Sequence, residues 1–222
     1  MNNSKSLLTA MVIVCSTFLM TSNVFANEEE VYVGDPEEGK SLANSAGCGG
    51  CHGADGNSPA PSFPKIAGLG ANYLLKQLQD VREGNRVIVE MDGLVDDYDD
   101  EELKDLAVYY NSQTLQLAGA KPLEVKVNAG IKVDGLKLGA RVYRAGNLET
   151  NVPSCMGCHS PRGLGNEPAG YPRLGGQYSE YIAKQLRAYR DGERVHEIMN
   201  TVAKNMTNAE IDAVANFIAG LN

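Results

Sequence analysis

The sequence has few of the side chains that most often bind metals and cofactors. Its 222 residues include only five cysteines and three histidines. Four of the cysteines and two of the histidines fall into two copies of one short pattern, Cys48-Gly49-Gly50-Cys51-His52 and Cys155-Met156-Gly157-Cys158-His159. Only Cys15 and His196 lie outside the pattern. With so few of these residues available, the repetition is strong evidence for one function performed twice.

Basic residues are also in short supply. The chain has 20 Lys and Arg against 28 Asp and Glu, which gives a net charge of -8 at pH 7. Nucleic acids and anionic membranes attract basic surfaces, so this acidic balance argues against both as partners. The same balance favours a protein partner with a basic docking patch.

The apolar run near the N-terminus, residues 7–20, is shorter than the roughly 20 residues that a membrane-spanning helix needs. Lys5 precedes this run, and Val24-Phe25-Ala26 follows it. That order is typical of a secretory signal, so we predict a signal peptide over 1–26 that is cleaved after Ala26. Cleavage would also remove Cys15.

Two cysteines separated by two residues, with histidine directly after, form the attachment signature of c-type haem. Thiols one helical turn apart can each bond a vinyl group of one porphyrin, and the next imidazole can bind the iron. The pattern therefore predicts two covalent haem c groups, with iron ligands His52 and His159 and thioethers at Cys48, Cys51, Cys155 and Cys158. Because bacteria attach haem in this way only to exported proteins, the signal and the motifs support each other and predict a periplasmic protein.

Three other interpretations of the motifs explain less. A disulfide, or one zinc ion bound by both cysteine pairs, gives no reason for a histidine after each pair. A thioredoxin-like redox pair would need a βαβ context, and the sequence shows none.

The motifs belong to a longer internal repeat. A shift of 108 positions superimposes much of the first half on the second, and this register predicts a gene duplication with one domain per copy. We expect domains over 27–112 and 135–222, joined by a linker over 113–134 that includes an extended connector. The matched pairs include Pro64/Pro172, Gly68/Gly176, Tyr73/Tyr181, Gln77/Gln185, Arg86/Arg194 and Met91/Met199.

Helix signals recur in the first copy. Asp35 followed by Pro36 predicts a capped helix start leading towards Cys48. Apolar residues at helical spacing predict a helix over 73–81 and another from Leu103 to Tyr110. The acidic run of residues 96–102 is interpreted as the solvated first turn of that second helix.

The sixth iron ligand can be sought by elimination. In an electron carrier it is usually methionine or histidine. Four methionines follow the predicted signal, and Met156 lies inside an attachment motif, on the proximal side. Met91 is then the only choice in the first half. In the second half Met199 and Met206 compete, and the repeat favours Met199 because it matches Met91. His196 matches Ile88, so we interpret it as a surface residue or one that supports a ligand.

Other residues are candidates for supporting the haems. A carbonyl at Pro64 or Pro172 could fix the ring of the proximal histidine. Either Arg86 and Arg194, or Lys76 and Lys184, could pair with haem propionates.

Taken with the motifs and the matched methionines, Gly56-Asn57-Ser58-Pro59-Ala60-Pro61 followed by Tyr73-Leu74-Leu75-Lys76-Gln77-Leu78 resembles the dihaem cytochrome c4 family. The resemblance covers nearly the whole chain after the predicted signal. It implies an all-α fold of two tandem cytochrome c domains with neighbouring haems, and a periplasmic electron carrier that feeds a terminal oxidase. It also implies the axial pairs His52/Met91 and His159/Met199.

Three functions remain to be compared. A soluble carrier, linking a respiratory donor to a terminal oxidase through partly electrostatic docking, needs both irons closed by methionine. A dihaem peroxidase needs an open iron and acid–base groups, and the only histidine left for that is His196. A cytochrome subunit of a larger dehydrogenase would look much like the carrier in sequence. Peripheral association with a membrane is also left open.

Overall fold

The computed structural model describes residues 33–222, so the predicted signal peptide lies outside the described residues. Within them the secondary structure is mostly helical. The α-helices are α1 Pro36–Ser45, α2 Gly49–His52, α3 Ala71–Arg82, α4 Asp100–Ser112, α5 Gly135–Ala145, α6 Met156–His159, α7 Ser179–Asp191, α8 Glu197–Ala203 and α9 Asn208–Ala219. There are two short 3-10 turns, Val89–Met91 and Glu167–Ala169, and two strands, β1 Glu124–Val127 and β2 Ile131–Asp134.

The helix starts follow from side-chain capping. The carboxylate of Asp35 accepts hydrogen bonds from the backbone N–H groups of Glu37 and Glu38, with Pro36 at the first helical position. Asp99 and Glu102 form a reciprocal capping box at the start of α4. The predicted helix start at Asp35-Pro36 is confirmed, and part of the acidic run 96–102 caps α4.

Each half is built on one crossing of two helices, α1 on α4 and α5 on α9. A glycine lies at each crossing. A Cβ atom on Gly39 would lie 2.0 Å from the carbonyl oxygen of Asp105, and one on Gly139 would lie 2.1 Å from that of Ala213. The helices therefore touch backbone to backbone, which only glycine permits.

Two separate cores flank these crossings. The first gathers buried residues between positions 43 and 115, among them Leu103 and Leu106. The second gathers buried residues between positions 125 and 218, among them Val142 and Ile211. Each half thus has a core of its own, as expected of two tandem domains.

The connector departs from an all-α fold. Strands β1 and β2 form an antiparallel hairpin in which Glu124 pairs with Asp134 and Val127 with Ile131. The extended connector expected over 123–133 is therefore a hairpin. None of the helices within residues 33–222 is long and apolar enough to cross a membrane.

The linker before the hairpin is held by both halves. Asn57 of the first half donates to the carbonyl of Thr114 and accepts from the N–H of Gln116, at 2.9 and 2.7 Å. On the other side, the buried amide of Asn216 accepts from the N–H of Lys121 at 3.0 Å and donates to its carbonyl at 2.7 Å. These bonds fix the linker as a packed part of the fold.

The two halves approach their cysteine motifs differently. Two residues separate α1 from Cys48, whereas nine separate α5 from Cys155. The longer segment is closed by an antiparallel bridge between Asn147 and Val152. Glu210, which is only 3 % exposed, accepts hydrogen bonds from Asn147 at 2.7 Å and Thr150 at 3.1 Å. We name this segment, residues 146–154, the approach loop.

Burial acts to raise the pKa of the Glu210 carboxyl. Hydrogen bonds from the backbone and side chain of Thr207, from Asn147 and from Thr150 outweigh burial, so the pKa lies below its usual value. The carboxylate is thus the form that holds the approach loop against α9.

We predict that Gly139→Ala lowers the free energy of unfolding by about 2–3 kcal/mol, because α5 must move away from α9 to admit the methyl group. Chemical unfolding followed by circular dichroism measures the change. Arg141→Ala, at an exposed position of the same helix, is the control. Equal stability of the two variants would show that the crossing is looser than described.

We also predict that Glu210→Gln lowers the free energy of unfolding at pH 7 by about 1–2 kcal/mol, through loss of charge-assisted hydrogen bonds. A lowered folded pKa means that the carboxylate stabilises the fold above its unfolded pKa of about 4.3, and that this contribution is lost as the pH falls through the folded value.

The difference between wild type and Glu210→Gln should therefore shrink between pH 7 and pH 3. Urea unfolding at both pH values measures it, with the exposed Glu193→Gln as control. A loss of the same size at both pH values would contradict the assignment.

Candidate haem sites

The attachment motifs form two short helices, α2 and α6. Cys48 and Cys155 are the residues just before them and already have helical backbone angles, so each cysteine pair lies one turn apart. No disulfide joins any of these four cysteines. This is the spacing that the two vinyl groups of one porphyrin require.

The two cysteine pairs do not form one zinc site. Burial raises the pKa of Cys48 and raises that of Cys155 to about 11, which favours the neutral thiol. No three His, Cys, Asp or Glu side chains in residues 33–222 are grouped to hold a metal ion. The two cysteine pairs therefore belong to separate sites.

Both motif imidazoles are held in one orientation. Nδ1 of His52 lies 2.9 Å from the carbonyl oxygen of Pro64, and Nδ1 of His159 lies 3.0 Å from that of Pro172. A carbonyl can only accept, so Nδ1 carries the proton and Nε2 keeps a free lone pair. The carbonyl contacts predicted for both prolines are confirmed.

Burial lowers the pKa of both histidines, and the two proline carbonyls only partly oppose it. The neutral imidazole is the form that binds iron, and a bond from Nδ1–H to a carbonyl sets its ring plane and raises its basicity. The residues present therefore fit a haem iron on the Nε2 side.

An aromatic ring lies beside each imidazole. The ring centroids of His52 and Phe63 are 6.4 Å apart, and those of His159 and Tyr171 are 6.2 Å apart. Sequence reasoning did not select Phe63 or Tyr171. The 108-residue shift pairs them, so two aromatic residues one position before the matched prolines were the available signal.

The candidate methionines occupy matching places. Met91 ends the 3-10 turn of residues 89–91, and Met199 lies in α8; both are half-buried. His196 is exposed, and its Nδ1 accepts a hydrogen bond from the N–H of Met199 at 3.4 Å. His196 thus supports the backbone at Met199.

Met206 has a different environment. It is 3 % exposed and belongs to the second core. Its carbonyl accepts from Nη1 of Arg190 at 3.3 Å, just as the carbonyl of Tyr98 accepts from Nη1 of Arg82 at 2.8 Å. Tyr98 lies 108 residues earlier, so Met206 is the counterpart of a packing residue in the first half.

Four side chains form a closed ring between the halves. Arg86 donates to Gln77 of its own half at 2.8 Å and to Gln185 of the other half at 3.4 Å. Arg194 donates to Gln185 at 2.6 Å and to Gln77 at 2.5 Å. Each amide oxygen therefore bridges two guanidinium groups, and we call the four residues the arginine–glutamine ring.

Two tyrosines complete this arrangement. Arg86 donates to the hydroxyl of Tyr181 at 3.1 Å, and Arg194 to that of Tyr73 at 3.2 Å. No carboxylate in residues 33–222 forms an ion pair with either arginine. By contrast, Lys76 pairs with Asp80. The arginines are thus two half-buried cations without a carboxylate partner in the described part of the chain.

A buried glutamine also joins the halves. The amide of Gln177, 2 % exposed, accepts from the N–H of Lys65 at 3.0 Å and donates to its carbonyl at 2.7 Å. The counterpart contact runs from the N–H of Arg173 to the carbonyl of Leu69 at 3.2 Å. The repeat could not reveal Gln177, because its matched residue is an apolar leucine.

The family model described as cytochrome c matches the chain twice, over residues 36–114 and 136–222. Cytochrome c4 of Pseudomonas aeruginosa is 42% identical over 193 residues, which cover 85% of this chain and 90% of that protein. A protein of Stutzerimonas stutzeri described as a thiosulfate dehydrogenase electron acceptor is 35% identical, with 78% of each chain covered.

A solved structure is similar as well. The crystal structure of reduced recombinant cytochrome c4 from Pseudomonas stutzeri superimposes with a TM-score of 0.77 at 42% sequence identity. The match covers 85% of this chain and 100% of that one. The fold of this chain over the matched residues thus has a close parallel in a solved cytochrome c4 structure.

Proposed function

Because this chain belongs to the cytochrome c family and to its cytochrome c4 group, we propose that it carries single electrons in the periplasm between a respiratory donor and a terminal oxidase. Two tandem cytochrome c domains carry two covalently bound haem c groups, one each. The observation that supports a carrier best is the same fixed imidazole in both halves, with a half-buried methionine at the matched position.

We assign the site residues as follows. Cys48 and Cys51 form the thioethers of the first haem, and Cys155 and Cys158 those of the second. His52 with Met91, and His159 with Met199, are the axial pairs. When bound, each haem supplies a one-electron iron couple. The two proline carbonyls fix the imidazoles. With Met91 and Met199 as sixth ligands, neither iron would keep an open position for a substrate, which makes a peroxidase the weaker alternative.

The same proposal includes the boundaries of the signal peptide, the domains and the linker. The signal covers 1–26, the domains cover 27–112 and 135–222, and the linker covers 113–134.

The arginine–glutamine ring is the candidate for binding the haem propionates, because two guanidinium groups without a carboxylate partner suit two anionic groups. Lys76 is less suited, since its ammonium already pairs with Asp80.

A second function has one specific observation in its favour. The Stutzerimonas stutzeri relative is described as the electron acceptor of thiosulfate dehydrogenase. The present chain could serve a dehydrogenase in the same way, as its cytochrome subunit or acceptor. Co-purification with a catalytic subunit after mild extraction would favour this alternative over a free carrier.

Only part of the acidic run of residues 96–102 is a candidate surface for docking to a basic partner. Asp99 caps α4, and Asp100 pairs with Arg82 at 2.6 Å. Asp96 and Asp97 are exposed, and no hydrogen bond or ion pair joins them to another residue in the described part of the chain. These two carboxylates are therefore free to meet a partner.

We predict that Met91→His and Met199→His each lower the reduction potential of one haem, because imidazole stabilises ferric iron relative to thioether sulfur. Axial ligands shift potentials over a range of about 0.8 V in haem proteins. Each change should also remove about half of the ferric sulfur-to-iron charge-transfer absorbance. A redox titration followed by visible and near-infrared absorbance measures both effects.

Met206→Leu is the matched control and should leave the absorbance and both potentials unchanged. Intact mass confirms that every variant carries two haems. Loss of half the band in Met206→Leu, with the band intact in Met199→Leu, would overturn the second axial assignment.

We predict that Asp96→Asn/Asp97→Asn slows electron transfer to the terminal oxidase about two- to fivefold at low ionic strength, because attraction to a basic patch is weakened. The second-order rate measured against salt tests this, and the wild-type rate should fall as salt rises. Glu149→Gln/Glu193→Gln removes the same charge from the second half and is the control. A rate independent of salt would indicate apolar docking instead.

A further inference from the structure

The outer face of α5 carries a stripe of positive charge. Lys137, Arg141 and Arg144 are all exposed, and their spacing of four and three residues places them on one side of the helix. No ion pair joins any of them to an acid within residues 33–222. The guanidinium of Arg144 lies over the ring of Phe217, 5.2 Å from its centroid. Within residues 33–222 the stripe therefore has an aromatic contact but no acidic partner.

The fold does not require this stripe. Helix α1 is the counterpart of α5, and Gly39 and Gly139 occupy equivalent crossings. In the register that these glycines define, Glu37, Ser41 and Asn44 of α1 take the places of the three basic residues. The same scaffold is thus built without positive charge on this face.

Charge divides unevenly along the whole chain. Residues 36–114 contain 14 acidic and 6 basic residues, a net charge of -8, whereas residues 136–222 contain 8 acidic and 10 basic residues, a net charge of +2. The polypeptide of the first half is thus strongly acidic, whereas that of the second half is not, and basic side chains there meet less acidic competition.

The stripe ends beside the second haem attachment motif. Oγ of Ser154 donates to the carbonyl of Arg144 at 2.9 Å, which ties the end of α5 to the residue before Cys155. The approach loop lies between them and presents Leu148, which is 93 % exposed. Glu210 holds this loop in place through Asn147 and Thr150, so the leucine is displayed on a fixed support.

We propose that Lys137, Arg141, Arg144 and Leu148 form a docking surface for a redox protein with an acidic face, and we call it the α5 surface. The inference rests on the proposed carrier function. An apolar residue beside a charged rim is the composition of a weak interface that forms and separates quickly. The α5 surface would bring such a partner next to the second haem, while basic partners use the acidic first half.

An acidic protein suits the α5 surface better than an anionic membrane. Lipid recognition usually takes clusters of about 4–8 basic residues, and the stripe has three. An extended anionic surface would also meet the net charge of -8 of the whole chain. A compact acidic patch interacts mainly within a Debye length, about 8 Å at physiological salt, and therefore senses the stripe rather than the distant acidic half.

The test measures the reduction of the oxidised dihaem protein by reduced flavodoxin, an acidic one-electron donor, in stopped flow at increasing ionic strength. The net charges of the two proteins have the same sign, so docking governed by total charge would make the rate rise with salt. Docking on the α5 surface makes the rate fall with salt. A rise with salt in the wild type overturns the proposal.

Variants locate the effect. Lys137→Gln/Arg141→Gln/Arg144→Gln should lower the rate about tenfold at low salt and turn the fall with salt into a rise. The control Lys40→Gln/Lys126→Gln/Lys204→Gln removes the same charge from exposed lysines elsewhere and should change the rate less than about twofold. Leu148→Ser should lower the rate and keep its salt dependence. Equal effects of the two triple variants overturn the proposal.

Two further measurements separate the causes of failure. If the wild type sediments with phosphatidylserine vesicles and the α5 triple variant does not, the stripe is a lipid site and the protein-docking assignment is overturned. Intact mass and reduction by dithionite report the two haems independently. Failure of dithionite to reduce them would refute the carrier function itself, whereas normal reduction with the wrong salt dependence refutes only the α5 surface.

Discussion

The hydrogen bond between a buried imidazole and a proline carbonyl is the interaction on which both sites depend. It sets the tautomer and ring plane of His52 and His159, and it works only if the loop after each motif returns to the same place. In the first half this loop is closed by a bond from the N–H of Ile66 to the carbonyl of Gly56 at 2.7 Å, and in the second by one from Leu174 to Gly163 at 2.8 Å. The irregular loops are thus as specified as the helices.

In both halves a tyrosine hydroxyl bonds to the backbone just after the motif histidine, but the two tyrosines do not occupy equivalent positions. The hydroxyl of Tyr109 on α4 donates to the carbonyl of Ala54 at 2.9 Å, and the hydroxyl of Tyr143 on α5 donates to that of Ser160 at 2.7 Å. Both tyrosines tie a helix of the crossing to the segment just after a motif histidine, but they come from opposite helices. Where Tyr143 stands in the second half, the first has Ala43; where Tyr109 stands in the first half, the second has Phe217, which has no hydroxyl group. What each half needs is the bond and the filled volume, not a particular position.

This difference between the halves shows how much of the structure the sequence could predict. Motif spacing and the 108-residue shift were enough for the two attachment helices and the proline carbonyls, because each depends on local geometry repeated in both halves, whereas iron ligation by Met91 and Met199 stays a prediction. Capping residues were enough for the start of α1. The hairpin was only partly predicted, since short strands carry little periodic signal. The arginine–glutamine ring and Gln177 were not predicted, because such contacts join residues roughly a hundred positions apart and only the packed fold brings them together.

Polar residues between the halves and exposed residues on the surface are constrained differently, and this difference affects how the two halves of a duplicated carrier can diverge. Contacts between the halves involve half-buried or buried polar groups, and each must find a partner because an unpaired buried group is costly. The ring of Arg86, Gln77, Arg194 and Gln185 meets that demand symmetrically, so any change on one side must be matched on the other. Exposed residues face no such demand. Helix α5 could therefore acquire a basic face where α1 has none, while the packed linker keeps the two sites in one arrangement.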